Sequence, residues 1–291
     1  MNSDLGYEAP ENLQEALQIL EQHPDCRILA GGTDLLVEYH QAREKMGRVL
    51  DISRVAGLKK MEVDSQQVSL GAMITHEELY RSPTLKEVAP CLSQAAGTVG
   101  APQIRHQGTL GGNLANASPA ADLAPPLIAL EARVNLMGPG GGRQLSLEDF
   151  FTGPGNTVKK SGEIIASVEF PRPPAGTRGT YLKIGQRRAL AIAVASLAVV
   201  INCEEDTLKK IRLAVGSVAP IPLRLRQTEE ILEESYREQL PLEQAVEKLQ
   251  EEISPIDDIR GTGEYRSLVL GNLLRRGLRE ILEDKGVKRD G

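Results

Sequence analysis

Two glycine-rich segments, about eighty residues apart, constrain this chain most. Residues 30–36 read AGGTDLL and residues 109–116 read TLGGNLAN. In each segment two glycines stand beside small hydroxyl or amide residues and an apolar stretch, so the backbone can turn tightly. Successive N–H groups in such turns form concave anion sites, and glycine lets a phosphate approach without a Cβ in the way. The two segments together predict a site that holds both ends of one large ligand.

The sequence argues against the common nucleotide-binding motifs, nucleic-acid binding, a membrane span and secretion. No G-x-G-x-x-G follows a predicted strand and no G-x-x-x-x-G-K-[ST] occurs, which argues against Rossmann and P-loop sites. A net charge of −6 and a pI of about 5.5 give no basic surplus for nucleic acid. No apolar run reaches about 18 residues, so we expect no membrane span. The start, MNSDLG, lacks a secretory signal pattern, which predicts a cytoplasmic protein.

Cysteine and histidine spacing predicts neither a metal site nor catalytic side chains. Cys26, Cys91 and Cys203 are far apart and show no cluster-type spacing, so we expect reduced structural thiols. His76 and His106 have no paired nucleophile and no metal-ligand spacing, which favours surface or loop positions for both. The chemistry is therefore expected to come from a cofactor.

Hydrophobic periodicity and turn residues predict three units along the chain. The first unit, 1–55, has helices at 11–22 and 34–43 and strands at 27–30 and 49–52. The second, 56–174, has strands at 68–72, 131–137, 143–147 and 164–170 and helices at 75–81, 84–97 and 119–130. The glycine-rich run 138–142 joins two alternating segments, so a hairpin loop is favoured over a phosphate site.

A proline cluster at 171–176 cannot continue a sheet or a helix, and it marks the boundary of the third unit, 175–291. This unit is predicted to have strands at 181–184, 191–202 and 211–218 and helices at 227–236, 241–252 and 264–284. Because its strands precede its helices instead of alternating with them, it reads as a small α+β domain.

The glycine segments and several others resemble the FAD-binding medium subunit of molybdenum hydroxylases, the family of xanthine dehydrogenase and carbon monoxide dehydrogenase. The resemblance is carried by AGGTDLL at 30–36, QIRHQ at 103–107, TLGGNLANASPAADLAPPL at 109–127, GEII at 162–165, YLKIGQRR at 181–188 and Tyr265-Arg266. It covers essentially the whole chain. It implies an α+β fold: a two-lobed FAD-binding domain of the vanillyl-alcohol-oxidase/PCMH type, followed by an α+β domain with an antiparallel sheet and helices.

The site that this resemblance implies binds FAD through fifteen residues. They are Leu29, Ala30, Gly31, Gly32, Thr33, Asp34, Leu35, Val99, Thr109, Gly111, Gly112, Asn113, Asp122, Ile165 and Lys183. Backbone donors at 31–33 and 111–113 are expected to compensate the diphosphate charge. No catalytic residue and no metal ligand is expected on this chain.

Side chains of the implied site have roles that the sequence leaves open. A carboxylate beside a diphosphate is repelled by about 1 kcal/mol or more at contact distance, so Asp122 is better placed to accept hydrogen bonds from ribose or ribityl hydroxyls. Its alternative is an acid in the first turn of a helix. Lys183 could compensate phosphate or reduced flavin, or be a solvated lysine on a strand. Val99 and Ile165 could pack on the cofactor or in the core. Arg105 could face the cofactor or a partner subunit.

The resemblance implies a subunit of a larger oxidoreductase. A large subunit would carry the molybdenum cofactor, and a small subunit two [2Fe–2S] clusters that feed FAD on this chain, in a dimer of heterotrimers. The residues at 189–192, ALAI, lack the acids that nicotinamide-using relatives often carry, which favours an acceptor other than NAD. The alternatives are a self-sufficient flavoprotein oxidoreductase and a flavin-free interaction module of the same fold.

Overall fold

The computed structural model describes residues 6–41, 47–187, 190–204 and 207–283. The first lobe is a parallel three-stranded sheet in the order β1-β3-β2, with two helices. Its elements are β1 (Tyr7–Glu8), α1 (Leu13–Gln22), β2 (Arg27–Leu29), α2 (Leu35–His40) and β3 (Val49–Asp51). The α1 helix begins where Asn12 accepts a hydrogen bond from the Glu15 N–H, and it buries Ala16 and Leu20.

The second lobe is a five-stranded antiparallel sheet covered by six helices, in the order β4-β5-β10-β6-β7. Its strands are β4 (Met61–Val63), β5 (Gln67–Gly71), β6 (Arg133–Gly138), β7 (Gly141–Ser146), the separate pair β8 (Phe151–Gly153) and β9 (Asn156–Thr157), and β10 (Ile164–Pro171). Its helices are α3 (His76–Arg81), α4 (Pro83–Val88), α5 (Pro90–Thr98), α6 (Pro102–Gln107), α7 (Leu110–Asn116) and α8 (Ala124–Ala129).

The C-terminal part is a four-stranded antiparallel meander with three helices, β11-β12-β13-β14. The elements are β11 (Arg178–Gly185), β12 (Ala193–Glu204), β13 (Thr207–Gly216), β14 (Leu223–Arg224), α9 (Arg226–Leu232), α10 (Leu242–Glu252) and α11 (Gly263–Glu283). This sheet packs on α5 and α8, and Tyr181 and Ala198 join the core of the second lobe. The predicted strands-then-helices order is confirmed, whereas the limits at 55 and 174 stay predictions. No helix within these described ranges is long and apolar enough to cross a membrane.

Several predicted helices differ from the structure for local reasons. The single helix expected at 84–97 is two helices, because Pro90 cannot continue α4 and instead occupies the first turn of α5. The helix expected at 119–130 begins only at Ala124, since Ser118 holds residues 118–121 in a turn through hydrogen bonds to the Ala120 and Ala121 N–H groups. The hairpin at 131–147 is confirmed: Gly138 pairs with Gly141 across its turn.

The second glycine segment departs most from expectation. It was expected to be a loop, yet residues 110–116 form helix α7. Thr109 begins this helix by accepting a hydrogen bond from the Gly112 N–H with its side-chain oxygen. Predicted positions 42, 43, 188, 189 and 284, and the N-terminal residues 1–5, lie outside the described residues.

Candidate functional site

A cleft of about 670 Å³ opens where the two lobes and the loop before β12 come together. Thirteen of the fifteen predicted site residues line it. They are Ala30, Gly31, Gly32, Thr33, Asp34, Leu35, Val99, Thr109, Gly111, Gly112, Asn113, Asp122 and Ile165. Leu29 lies behind the first segment, its Cδ1 3.2 Å from where a Cβ on Gly32 would stand. Lys183 lies behind the wall as well, but it contacts Asp122.

The first glycine segment presents a run of unused backbone donors. Between β2 and α2, the N–H groups of residues 31–34 donate to none of the described residues. Gly32 has φ +71°, a left-handed conformation that favours glycine. Gly31 packs so closely that a Cβ there would stand 1.8 Å from the Gln107 carbonyl oxygen. Four successive free N–H groups beside a cleft make an anion site.

The second glycine segment has no such donors, which corrects the expectation for residues 111–113. The Gly111 N–H donates to the Ala72 carbonyl at 2.7 Å, and the Asn113 N–H donates to the Thr109 carbonyl at 2.9 Å. The Gly112 N–H is taken by Thr109 Oγ1 at 3.1 Å. Each of the three N–H groups expected to face the diphosphate is therefore already bonded within the protein.

What the second segment offers instead is space. A Cβ on Gly111 would stand 2.7 Å from the Ala72 Cβ, so Gly111 allows α7 to pack against the end of β5. A Cβ on Gly112 would meet only Thr109 Oγ1, at 3.0 Å, so this glycine leaves its cleft side open. The Asn113 Oδ1 atom is buried without a partner among the described residues, and such a polar atom in a cleft wall indicates a missing ligand group.

Asp122 is held in the cleft wall by two side chains from β11. Its carboxylate accepts a hydrogen bond from the Tyr181 hydroxyl at 2.7 Å and one from Lys183 Nζ at 2.6 Å. Burial raises the pKa of Asp122, while Lys183 and Tyr181 act in the opposite direction. Neither alternative raised from sequence holds: only 10% of the Lys183 side chain is exposed, so it is not a solvated lysine, and Asp122 precedes helix α8 instead of lying in it.

Five titratable residues that the sequence analysis did not assign to the cleft line it: Cys26, Arg27, Glu38, His76 and Lys159. His76, expected at the surface or in a loop, is the first residue of α3 and only 3% exposed, so that expectation was wrong. Lys159 donates to the carbonyls of Glu163 at 3.1 Å and Lys160 at 3.4 Å, and burial lowers its pKa. No carboxylate within the described chain forms an ion pair with Lys159, because Glu163 pairs with Arg143.

Other residues singled out from the sequence lie away from the cleft or play packing roles. Arg105 pairs with Glu77 at 2.9 Å and does not line the cleft. His106 is exposed, as expected. Cys91 is a buried thiol whose pKa burial raises to about 12, as expected for a structural cysteine. In the described part of the chain, no group of His, Cys, Asp or Glu side chains is arranged to hold a metal ion.

The residues present fit a dinucleotide such as FAD. The donor run at 31–34 and the Lys159 ammonium suit an anionic centre, and the orphaned Asn113 Oδ1 suits a polar group. Val99 and Ile165 supply apolar walls, in a cleft whose volume lies within the usual range for ligand sites.

Comparisons with known proteins indicate the family of this chain. Residues 3–173 match the FAD binding domain in molybdopterin dehydrogenase, and residues 180–281 match the CO dehydrogenase flavoprotein C-terminal domain. The chain is 32% identical over 279 residues to the glyceraldehyde dehydrogenase medium chain of Sulfolobus acidocaldarius, over 96% of this chain and 98% of that one. It is 27% identical over 285 residues to the xanthine dehydrogenase FAD-binding subunit of Escherichia coli O157:H7, over 97% and 98%.

A solved structure shows the same fold. Carbon monoxide dehydrogenase from Hydrogenophaga pseudoflava, in a form that lacks the Mo-pyranopterin moiety of its molybdenum cofactor, superposes with a TM-score of 0.91 at 30% identity. The match covers 97% of this chain and 99% of that one. With its N-terminal family match spanning more than half of its length, this chain belongs to the FAD-binding medium subunits of the molybdenum hydroxylase family of oxidoreductases.

Proposed function

We propose that this chain is the electron-output subunit of a molybdenum enzyme complex. Electrons from substrate oxidation on a large subunit pass through two [2Fe–2S] clusters of a small subunit to FAD held here, and leave to an external acceptor. Relatives matched over nearly their whole length are named for enzymes of unlike substrates, glyceraldehyde and xanthine. A subunit that stays alike while the substrate changes is unsuited to selecting that substrate, which supports a role in electron transfer.

The observation that carries the proposal is the free donor run in the cleft. The N–H groups of residues 31–34 would bind the FAD diphosphate, and the Lys159 ammonium would add a positive charge to the same cleft. FAD, when bound, supplies the hydride and electron chemistry that the side chains of this chain do not. The task of these residues is to bind and orient.

Other lining residues, Asp122, Val99 and Ile165, would serve the neutral parts of the ligand. The Asp122 carboxylate has acceptor capacity left after binding Tyr181 and Lys183, so it can accept hydrogen bonds from sugar or ribityl hydroxyls. Its charge is balanced by Lys183 at 2.6 Å, which limits repulsion of a diphosphate in the same cleft. Val99 and Ile165 would exclude water from an aromatic ring.

The acceptor is proposed to be oxygen, a quinone or a carrier protein, not NAD. Leu190 and Ile192 line the mouth of the cleft and are 48% and 62% exposed. Apolar side chains at the mouth offer no acceptor for nicotinamide ribose hydroxyls. Ala189 in the same stretch lies outside the described residues. Steady-state assays of the assembled enzyme test this point, and fast reduction of NAD at low concentration would overturn it.

Assembly is proposed to follow the family: a large molybdenum-cofactor subunit, a small [2Fe–2S] subunit and this chain, as a dimer of heterotrimers in the cytoplasm. Co-expression with candidate partners, followed by mass measurement of the purified complex, tests the stoichiometry. Substrate turnover by this chain alone would instead indicate a self-sufficient flavoprotein.

The first experiment is a titration of the full chain with FAD, with FMN as control, followed by flavin absorbance and fluorescence. We expect saturable binding that favours FAD over FMN, because FMN lacks the diphosphate for residues 31–34. Since the chain has no tryptophan, little protein quenching of flavin emission is expected. Binding of neither flavin, by the chain alone and in the co-expressed complex, would remove the proposal in favour of an interaction module.

A further inference from the structure

His76 is a buried polar residue in the cleft wall that the proposed site does not yet use. It begins helix α3, and its own N–H donates to the Gly108 carbonyl at 3.0 Å, which ties it to the residue before Thr109. Its side chain lines the cleft although the residue is only 3% exposed. Its Nδ1 atom is sealed from solvent and has no hydrogen-bond partner in the described parts of the chain.

The sealed Nδ1 atom determines which nitrogen carries the proton. Burial, with a smaller contribution from Arg105, lowers the pKa of His76 to about 4, so the ring is neutral at pH 7. A neutral imidazole has one N–H donor and one acceptor nitrogen. A buried donor without an acceptor is costly and rare, whereas an under-satisfied acceptor is better tolerated. The proton therefore belongs on Nε2.

The Nε2 edge of the ring lies beside the donor run of the first glycine segment. A Cβ on Gly108 would stand 2.9 Å from the His76 Cδ2 and 3.1 Å from Nε2, so the imidazole edge rests against the bare Cα of this glycine. A Cβ on Gly31 would in turn stand 3.1 Å from the Gly108 Cα. Gly108 therefore lies between the imidazole edge and Gly31, and both His76 and Gly31, where the run of free N–H groups begins, line the cleft.

We propose that His76 is a cofactor-binding residue that donates its Nε2–H to an oxygen of the FAD diphosphate, extending the backbone donor run of residues 31–34. This inference rests on the proposed function, because it requires FAD in the cleft. It assigns the diphosphate, and not the flavin ring, because the neighbouring donors form an anion site.

The test uses the full chain and two substitutions of His76 whose side-chain amides imitate different ring nitrogens. In His76→Gln the amide nitrogen can take the place of Nε2, whereas in His76→Asn it can take the place of Nδ1. His76→Leu keeps the bulk and removes both. We expect His76→Leu and His76→Asn to raise the Kd for FAD about tenfold or more, and to raise the Kd for ADP equally, because ADP carries the diphosphate without the flavin half. His76→Gln is expected to bind both within threefold of the unaltered chain.

Each other outcome counts against the inference. Equal FAD binding by all variants, or equal loss by all variants together with lower melting temperatures, would make His76 a packing residue. Weaker binding of FAD with unchanged binding of ADP would move the contact to the flavin half. Rescue by Asn instead of Gln would assign the bond to Nδ1. If the unaltered chain binds neither FAD nor ADP, the proposed function itself fails, and that result is distinct from these.

Discussion

The segment at 30–34 leaves its backbone donors free, whereas the segment at 109–113 has used its donors to hold its own fold. Both contain paired glycines beside threonine and an acidic or amide residue, and both line one cleft. The first follows a parallel strand and turns through Gly32 at φ +71°, which leaves four N–H groups without acceptors among the described residues. The second enters a helix capped by Thr109, and its N–H groups are taken by Thr109 and Ala72.

This difference shows that paired glycines can serve a ligand in two ways. In the first segment, the absence of side chains permits a backbone conformation that exposes donors. In the second, it permits helix α7 to approach Ala72 and keeps the cleft open at Gly112. The free N–H donors of the first segment and the open space at the second segment can therefore be tested by separate substitutions.

The largest expected effect comes from filling the space at Gly112. Gly112→Val should abolish measurable FAD binding, because its side chain would occupy the cleft, while the melting temperature changes little. Flavin titration and thermal unfolding of the purified chain measure the two properties. Full flavin occupancy in this variant would show that the second segment does not border the ligand.

Gly111→Val is the matched control for that substitution. Its Cβ would stand 2.7 Å from the Ala72 Cβ and 3.0 Å from the Ala72 carbonyl oxygen, so it should destabilise the fold before any ligand is added. If both variants unfolded alike, the distinction between the packed and the open glycine would be lost.

The second effect is a pH dependence of stability that comes from His76, whose N–H donates to the Gly108 carbonyl beside the second segment. Its pKa of about 4 lies below the ordinary value of 6.5, so between these pH values the unfolded chain binds a proton that the folded chain does not. Stability must therefore fall as the pH drops through this window, by up to about 3 kcal/mol from this group. Urea unfolding at pH 7 and pH 4.5 should show a steeper loss in the unaltered chain than in His76→Phe. Equal losses would show that His76 is not kept neutral by burial.

The third effect tests the first segment. Gly32→Ala places a Cβ at φ +71°, 3.0 Å from the Leu36 Cδ1, and should cost about 1 kcal/mol of stability. It should also weaken FAD binding about tenfold, because turning residues 31–34 away from their present conformation misdirects the donor run. Unchanged FAD affinity with reduced stability would separate the turn from the ligand site.

Much of the fold could be predicted from sequence because its signals are local. The apolar spacing within 11–22 predicts a helix that the structure has at Leu13–Gln22, and the glycine run between alternating segments predicts the hairpin at Gly138 and Gly141. Helix α7 could not be predicted, because glycine disfavours helices and the segment is held by bonds to Ala72 and Ile74, about forty residues earlier. Tertiary contacts there override local preference.

The candidate site also has a part that local sequence predicts and a part that depends on tertiary contacts. The glycine motifs identify backbone that could donate, and the structure leaves the donors of 31–33 free, as expected. Sequence cannot show whether an N–H already has an acceptor, which is why the free donors expected at 111–113 are not found. His76 and Lys159 reach the cleft through long-range packing, and neither carries a motif. Their contacts with FAD, like those of the fifteen predicted residues, stay predictions.

A smaller effect is expected at Thr109, whose side chain occupies the Gly112 N–H. Thr109→Val removes that acceptor at nearly constant shape and should lower stability by about 1 kcal/mol, whereas Thr109→Ser keeps the oxygen and should not. Urea unfolding measures this. FAD affinity should change less than threefold in Thr109→Ser, because this variant keeps the hydroxyl of a residue that is predicted to bind FAD. Markedly tighter binding by Thr109→Val would show that a freed Gly112 donor reaches the diphosphate after all.

The smallest effect is expected at Lys159, a cation that lines the cleft and lies outside both glycine segments. Its ammonium is held by two carbonyls, and the only carboxylate in the part of the chain described here that raises its pKa, that of Glu163, is shared with Arg143, so a phosphate would add a second counter-charge. Lys159→Met should raise the Kd for FAD about threefold at low salt and less at high salt, because partly exposed charges are screened. Lys159→Arg should retain the affinity and its salt dependence. Since residues 31–34 donate neutral hydrogen bonds, which salt screens little, the affinity that Lys159→Met retains at high salt measures how far the diphosphate relies on the backbone of the first segment.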